Sequence, residues 1–357
     1  MSKISRRRTV LKGRHGVFTR SKLLEQDRTS VKKCHHVDDS VLKEFPEGSK
    51  VLEANRYSTA AWTTAMRVIV ELRNGKTQSY FLKSAPNEMG KSMMEAEFRS
   101  MEELYYYMPT MVPRPIAWGQ LTQSSPDTYF LLLEYIELCM DMVDPVAFCD
   151  QIATLHKISK SPTGKFGFHL DTFQGPNRQI TEWESDWCTY FTRLLNGHFV
   201  AEVDQNGPNE DYEKAYSTLK DKIIPLLLKP LQEKGRSIKP CLIHGDLWEE
   251  NTGTDLITGK TVIFDASAYY AHNEMELGMW RRDVVRFGKA YFRQYLRNFP
   301  PSEPVEQWDD RNRLYSLAYT LCQALAWPAS AEMTREIMVR DMHFLIDKYL
   351  APTGSNS

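Results

Sequence analysis

Three oxygen-bearing side chains stand out by their spacing. Asp246 and Asn251 lie five residues apart in the run HGDLWEEN, and Asp265 closes the apolar run VIFD fourteen residues further on. A carboxylate that can take a hydroxyl proton, beside an amide oxygen and a second carboxylate that can hold a hard cation, is what metal-assisted phosphoryl transfer needs. Oxygen donors of this kind suit Mg2+ rather than zinc. The chemistry predicted is therefore transfer of a phosphoryl group to a hydroxyl, with Asp246 as base and Asn251 and Asp265 as metal ligands.

Those residues must be presented by elements on either side of them. PCLI and KTVIFD read as two short strands, expected to form a hairpin with the three side chains at one end. Upstream, MRVIVEL and SYFLKS are β-rich runs joined across Asn74-Gly75, a strong hairpin signal. GKSMMEAEFRSMEELYYYM has helical spacing, and PRPIAWGQL and TYFLLLEYIEL read as two more strands around TQSSPD. After Cys139 the pattern turns helical. One helix starts at Asp144-Pro145 and carries His156, expected to be a buried core histidine; a second is expected to hold Trp183 and Trp187 in the core and to end on Gly197. A third, from Tyr212, is expected to kink at Pro225. Leu277, Trp280, Val284, Phe287 and Tyr291 form an apolar stripe at helical spacing, and two helices near 309–327 and 333–350 close the chain.

The Asp-x-x-x-x-Asn spacing repeats that of the protein-kinase catalytic loop, and Asp265 stands where that superfamily places its metal Asp. The remaining parts occur in order. Lys83 ends YFLK, where a phosphate-pairing lysine belongs. Glu97 on the following helix is placed to hold it, since Glu95 faces another direction. Glu134, Tyr135 and Ile136 offer backbone groups to adenine, and Ser58 and Thr59 could donate to phosphate. The expected architecture is an α+β, two-lobe, protein-kinase-like fold: a basic extension over 1–37, a nucleotide-binding lobe over 38–138, a catalytic and substrate lobe over 139–350, and a tail over 351–357.

With these motifs in place the chain resembles the fructosamine kinase (ketosamine-3-kinase) family, whose superfamily also holds aminoglycoside phosphotransferases. HGDLWEEN and VIFDASAYYAHNEMELGMW are similar to that family's signature runs, and VPRPIAWG, FLLLEYIEL, SPTGKFGF and DWCTYFTRLL match in order, over about residues 40–350, with fungal members closest. The resemblance implies ATP and Mg2+ as cofactors and a ketosamine, free or on a protein lysine, as acceptor, phosphorylated on its 3-hydroxyl in a deglycation step. It implies the roles already given for Asp246, Asn251, Asp265, Lys83 and Glu97. His244 is expected to orient the catalytic loop; Trp248, Tyr270, His272 and Glu274 lie where they contact the acceptor or support the site by hydrogen bonds. Two departures stand out. NRYSTAAWTTA replaces a Gly-rich phosphate loop without one glycine, and Glu249-Glu250 replace the family's Ser-Gly, favouring a cationic acceptor if they point inward and solvated otherwise. Two other functions fit the same motifs: a kinase of an aminoglycoside-like or specialised-metabolite hydroxyl, or a pseudokinase scaffold, which the glycine-free loop favours and the intact Asp246, Asn251, Asp265 and Lys83 oppose.

Composition narrows the class further. The chain has 357 residues, 42% of them hydrophobic, enough for one large or two modest cores, and no apolar run long enough to span a membrane. Six scattered cysteines fit free thiols in a reducing compartment better than disulfides or structural zinc. The net charge of −1 conceals a first 36 residues carrying eleven Lys and Arg against Glu25 and Asp27, read as a disordered tail or as a mitochondrial or nuclear address on an otherwise cytoplasmic protein. No basic face downstream points to nucleic acid, and the oligomeric state is not encoded legibly.

Overall fold

The computed structural model describes residues 36–351 apart from residues 60 and 61 and the side chains of Tyr57 and Ser58. The basic extension and the C-terminal tail fall, but for their last and first residues, outside the described part.

A short helix α1 (Asp39–Leu42) is capped by Asp38, whose carboxylate accepts from the amides of Ser40 and Thr122, both at 2.9 Å, and so ties the start of the fold to a distant turn. Five antiparallel strands follow: β1 (Lys50–Thr59), β2 (Thr64–Glu71), β3 (Thr77–Pro86), β4 (Pro115–Gln120) and β5 (Thr128–Glu134), in the order β1-β2-β3-β5-β4. Helix α2 (Asn87–Tyr107) intervenes between β3 and β4. Strand periodicity sorts the core. Tyr80, Leu82, Phe130 and Leu132 pack under α1 with Val41 and Phe45, whereas Ala85, Tyr129, Leu131 and Leu133 face α2 with Met94, Phe98 and Met101. Lys83, between Leu82 and Ala85, alternates onto the α2 side.

The stretch expected as a phosphate loop is mostly strand. β1 pairs with β2 from Lys50↔Glu71 to Thr59↔Thr64. Its polar sequence hid it, because β1 is an edge strand with register shifts at Val51/Glu53 and Arg56/Ser58.

The rest of the chain is helical around small sheets. β6 (Leu138–Cys139) is followed by α3 (Pro145–Ile158), capped by Asp144, and by the hairpin β7 (Thr172–Gln174) and β8 (Asn177–Gln179). α4 (Trp187–Asn206) begins after Trp183, so the two tryptophans do not share a helix, and it runs past Gly197, where the missing Cβ leaves room for the Ile180 side chain. α5 (Glu210–Thr218) passes through a π-turn (Leu219–Ile223) into α6 (Ile224–Leu228). The wide turn comes just before Pro225, a residue that has no amide to donate.

The two strands expected to pair with each other do not. β9 (Cys241–Ile243) pairs with β12 (Tyr269–Ala271), while β11 (Thr261–Ile263) pairs with β10 (Thr252–Asp255), which in turn pairs with β6. The predicted stripe is also broken. α7 (Glu274–Trp280) ends before a loop over 281–288 in which Val284 is exposed and Phe287 buried, and α8 (Lys289–Asn298) resumes with Tyr291. α9 (Trp308–Ala326) and α10 (Ala331–Leu350) close the fold close to the expected bounds.

Candidate active site

Local backbone geometry places Asp246 and Asp265. After β9 the chain turns at Gly245, with φ +80° and its Cα so close to the Ser267 carbonyl that a Cβ would lie 2.2 Å from that oxygen. Only glycine accepts both conditions. Gly245→Ala is accordingly expected to cost at least about 2 kcal/mol of stability in urea unfolding; unchanged stability would show that this turn can relax. Asp265 itself sits at φ +63°, a left-handed conformation that Asp tolerates better than most residues.

His244 joins the two loops. Its amide nitrogen and that of Gly245 donate to the Glu276 carboxylate at 2.6 and 3.1 Å, and its carbonyl accepts from Ser267 at 3.0 Å. Its Nε2 lies 3.0 Å from the Phe264 carbonyl, which can only accept, and its Nδ1 accepts from the Asp246 amide at 3.3 Å. Burial lowers its pKa, so the ring is a neutral Nε2–H tautomer bridging the Asp246 and Asp265 loops. Trp280 adds a bond from its indole nitrogen to the Leu247 carbonyl at 3.0 Å.

The Asp246 carboxylate is held from two sides: Gln174 Nε2 donates to Oδ1 at 2.7 Å and Asn251 Nδ2 to Oδ2 at 3.1 Å. Burial pushes its pKa up to about 7; Asp265 adds to the rise, while Gln174, Arg282 and Asn251 oppose it. Across the cleft, Lys83 Nζ donates to Glu97 Oε2 at 2.6 Å and also meets Asp265 Oδ1. Burial works against its charge, yet Asp265 and Glu97 together hold its pKa well above the usual lysine range. Glu97 is thus the carboxylate that reaches Lys83, and the ion pair brings the sheet, α2 and the Asp265 loop to one point.

At the end of β5 the amides of Glu134 and Tyr135 donate to the carbonyls of Arg114 at 2.9 Å and Ser79 at 3.3 Å. Among the described hydrogen bonds the Ile136 amide has none. Thr59 is exposed at the end of β1, and the Ser58 side chain lies outside the described part.

The four residues considered for acceptor contact lie differently. Trp248 is half-buried against the core. Tyr270 donates to Glu103 at 2.6 Å. His272 bonds Tyr315 and Ser302 hydroxyls, both at 2.9 Å, and burial lowers its pKa to about 4. Glu274 accepts two bonds from Arg311, at 2.7 and 2.9 Å, and one from the Ser302 amide. His272 and Glu274 are fully buried. His156 is buried as expected, bonded to Tyr295 at 2.7 Å with Glu276 beyond its other nitrogen. Trp187 is core, donating to Tyr315 at 2.8 Å. Glu249 turns to the Arg286 amide at 3.0 Å, anchoring the 281–288 loop.

Sequence reasoning passed over Gln174, Glu276 and Arg282. Glu276 was visible in principle as the second acid of EMEL; Gln174 and Arg282 belong to no local pattern and reach Asp246 only through the tertiary fold.

Sheet order, the Lys83–Glu97 pair and the Asp246, Asn251 and Asp265 loops define a two-lobe protein-kinase-like fold. A structure from Thermobifida fusca assigned as a fructosamine-3-kinase superposes with a TM-score of 0.68 at 20% identity, covering 87% of this chain and 100% of that one. An aminoglycoside phosphotransferase holding AMP-PNP and hygromycin B superposes with a TM-score of 0.59 at 14% identity, covering 88% and 99%. At those identities both speak to fold. The chain belongs to the fructosamine kinase family, whose sequence model matches residues 41–342. It is 31% identical over 239 residues to the chloroplastic protein-ribulosamine 3-kinase of Oryza sativa subsp. japonica, across 66% of this chain and 65% of that protein. To the ketosamine-3-kinase of Mus musculus it is 24% identical, across 68% and 80%.

Proposed function

We propose that the protein is an ATP-dependent kinase of ketosamines, transferring the γ-phosphoryl group to the 3-hydroxyl of a sugar–amine adduct. The observation that carries this is the Asp246 carboxylate fixed by Gln174 and Asn251 and facing the Lys83–Glu97–Asp265 cluster, in a chain of this family. In the step proposed, the acceptor oxygen bonds to phosphorus as its proton passes to Asp246, and the bond to the ADP oxygen breaks. Lys83 steadies the phosphate charge. The Ile136 amide and the Glu134–Tyr135 backbone form the adenine edge, and Thr59 and Ser58 lie on the phosphate side.

The donor set fits Mg2+. With its Nδ2 given to Asp246, Asn251 keeps its amide oxygen for a cation, and Asp265 supplies a carboxylate half exposed to the cleft. An ion held there by two protein oxygens with phosphates completing its shell would neutralise charge on the transferred group. His272 and Glu274 act through packing of the 302–311 segment.

ATP consumption by the full chain with fructosyl-lysine, ribulosyl-lysine and an aminoglycoside tests the substrate class. Turnover on the ketosamines alone is expected, and turnover on the aminoglycoside alone would overturn the proposal. Lys83→Met is expected to lower kcat/KM for ATP by about 10²-fold; an unchanged value would remove Lys83 from the phosphate site.

A further inference from the structure

Trp62, which stands in the glycine-free stretch between β1 and β2, reaches the turn next to Gln174. Its ring lies against Gly175, where a Cβ would come within 3.1 Å of Trp62 Cζ2, and 5.5 Å from the ring of Trp327. Gly175 has φ +59° and follows Gln174 directly, so the turn that receives Trp62 also aims Gln174 at Asp246. Trp327 caps α9 by donating its amide to the Gln323 carbonyl at 2.9 Å, and the Gln323 side chain accepts from Arg282. Arg282 and Asp246 act on each other electrostatically. Two routes, one through Gln174 and one through Gln323 and Arg282, thus connect the aromatic pair to the carboxylate that takes the proton.

Chemistry is missing from both ends of this cluster. Gln174 Oε1 is buried with no hydrogen-bond partner among the described residues, although its Nε2 is bonded. A buried carbonyl oxygen left alone is unfavourable and calls for a donor. Trp327 is 53% exposed despite its size. A carbonyl oxygen lacking a donor, one residue from the glycine that receives a paired indole, brings together the two groups that bind a substituted ammonium, through an N–H bond and cation–π attraction.

We propose that Trp62, Trp327 and Gln174 form the site for the ammonium group of the acceptor. This rests on the ketosamine reading, and its geometry suits that substrate. The amine is carried on C1, two carbons from the C3 whose hydroxyl faces Asp246, so the ammonium falls within about one side chain's length of the base.

Steady-state kinetics of the full chain with fructosyl-lysine and its counterpart acetylated on the sugar-bearing nitrogen, which leaves that nitrogen uncharged, tests the assignment. Trp62→Ala and Trp327→Ala are each expected to raise the KM for fructosyl-lysine by about tenfold, with kcat held within roughly twofold. The preference for the charged acceptor should shrink in both, and Trp62→Phe and Trp327→Phe should restore most of it. Circular dichroism spectra matching wild type establish folding, and the Phe variants keep the test valid if an Ala variant fails it. An unchanged acceptor KM in both Ala variants, or a rise in the KM for ATP alone, overturns the ammonium site while leaving the kinase intact. A folded wild-type chain that leaves fructosyl-lysine untouched removes the ketosamine reading, and this site with it.

Discussion

Asp246→Asn is expected to lower kcat by about 10³-fold while leaving the affinity for ATP unchanged. An asparagine keeps the bond from Gln174 at Oδ1 and the shape of the loop, but it has no lone pair basic enough to take the hydroxyl proton. It gives up one 3.1 Å bond to Asn251 and a buried carboxylate whose ionisation burial opposes. Stability should therefore stay within about 1 kcal/mol of wild type, separating a chemical loss from a folding loss. The same residue predicts the pH dependence. With its pKa raised to about 7, Asp246 carries the proton below that pH and cannot accept another, so kcat/KM should fall as pH drops through about 7. Substantial turnover by the variant, or an acid limb surviving in its residual activity, would take the base role from Asp246.

Arg311→Met should have the largest effect on stability. The guanidinium is fully buried and makes four bonds: two to Glu274, at 2.7 and 2.9 Å, and one each to the carbonyls of Ser302 and Pro304, at 2.8 Å. Removing it strands a buried carboxylate and two carbonyls, for an expected loss of about 3–5 kcal/mol. Putting Leu at Glu274 as well should recover part of that, because the stranded charge is then gone. This pair decides between the two roles open to Glu274. If Glu274 touched the acceptor, Arg311→Met would change the acceptor KM in a protein of nearly normal stability; urea unfolding and kinetics on the same sample distinguish the two.

What could be read in the sequence was what short segments specify. The Asn74-Gly75 turn and the Asp144-Pro145 helix start each follow from the backbone preferences of one or two residues, and the structure shows both; where a kink is expected at Pro225, a π-turn over Leu219–Ile223 precedes it. Strand β1 was missed because it lies on an edge and carries few apolar residues. An isolated glycine weakens a helix, which makes Gly197 read as a stop, but packing against Ile180 outweighs that cost. Val284 fell on the apolar stripe by spacing alone, and the 281–288 loop that Glu249 anchors turns it outward.

The sequence by itself determined the chemistry available: an Asp and an Asn five residues apart in one loop, a second Asp ending a strand, and a lysine alternating onto the inner face of β3. These depend on local spacing, which the backbone converts directly into direction. Tertiary structure alone decided which residues surround that chemistry. Three-residue strands carry too little pattern to choose a partner, so β9 met β12 instead of β11 only through the packing of the whole helical core. Gln174 is 72 residues from Asp246 in the chain, and Trp62 stands in an earlier hairpin altogether. Contacts across such distances form only after burial of the core has offset the entropy of closing the chain between them, and no local signal announces them.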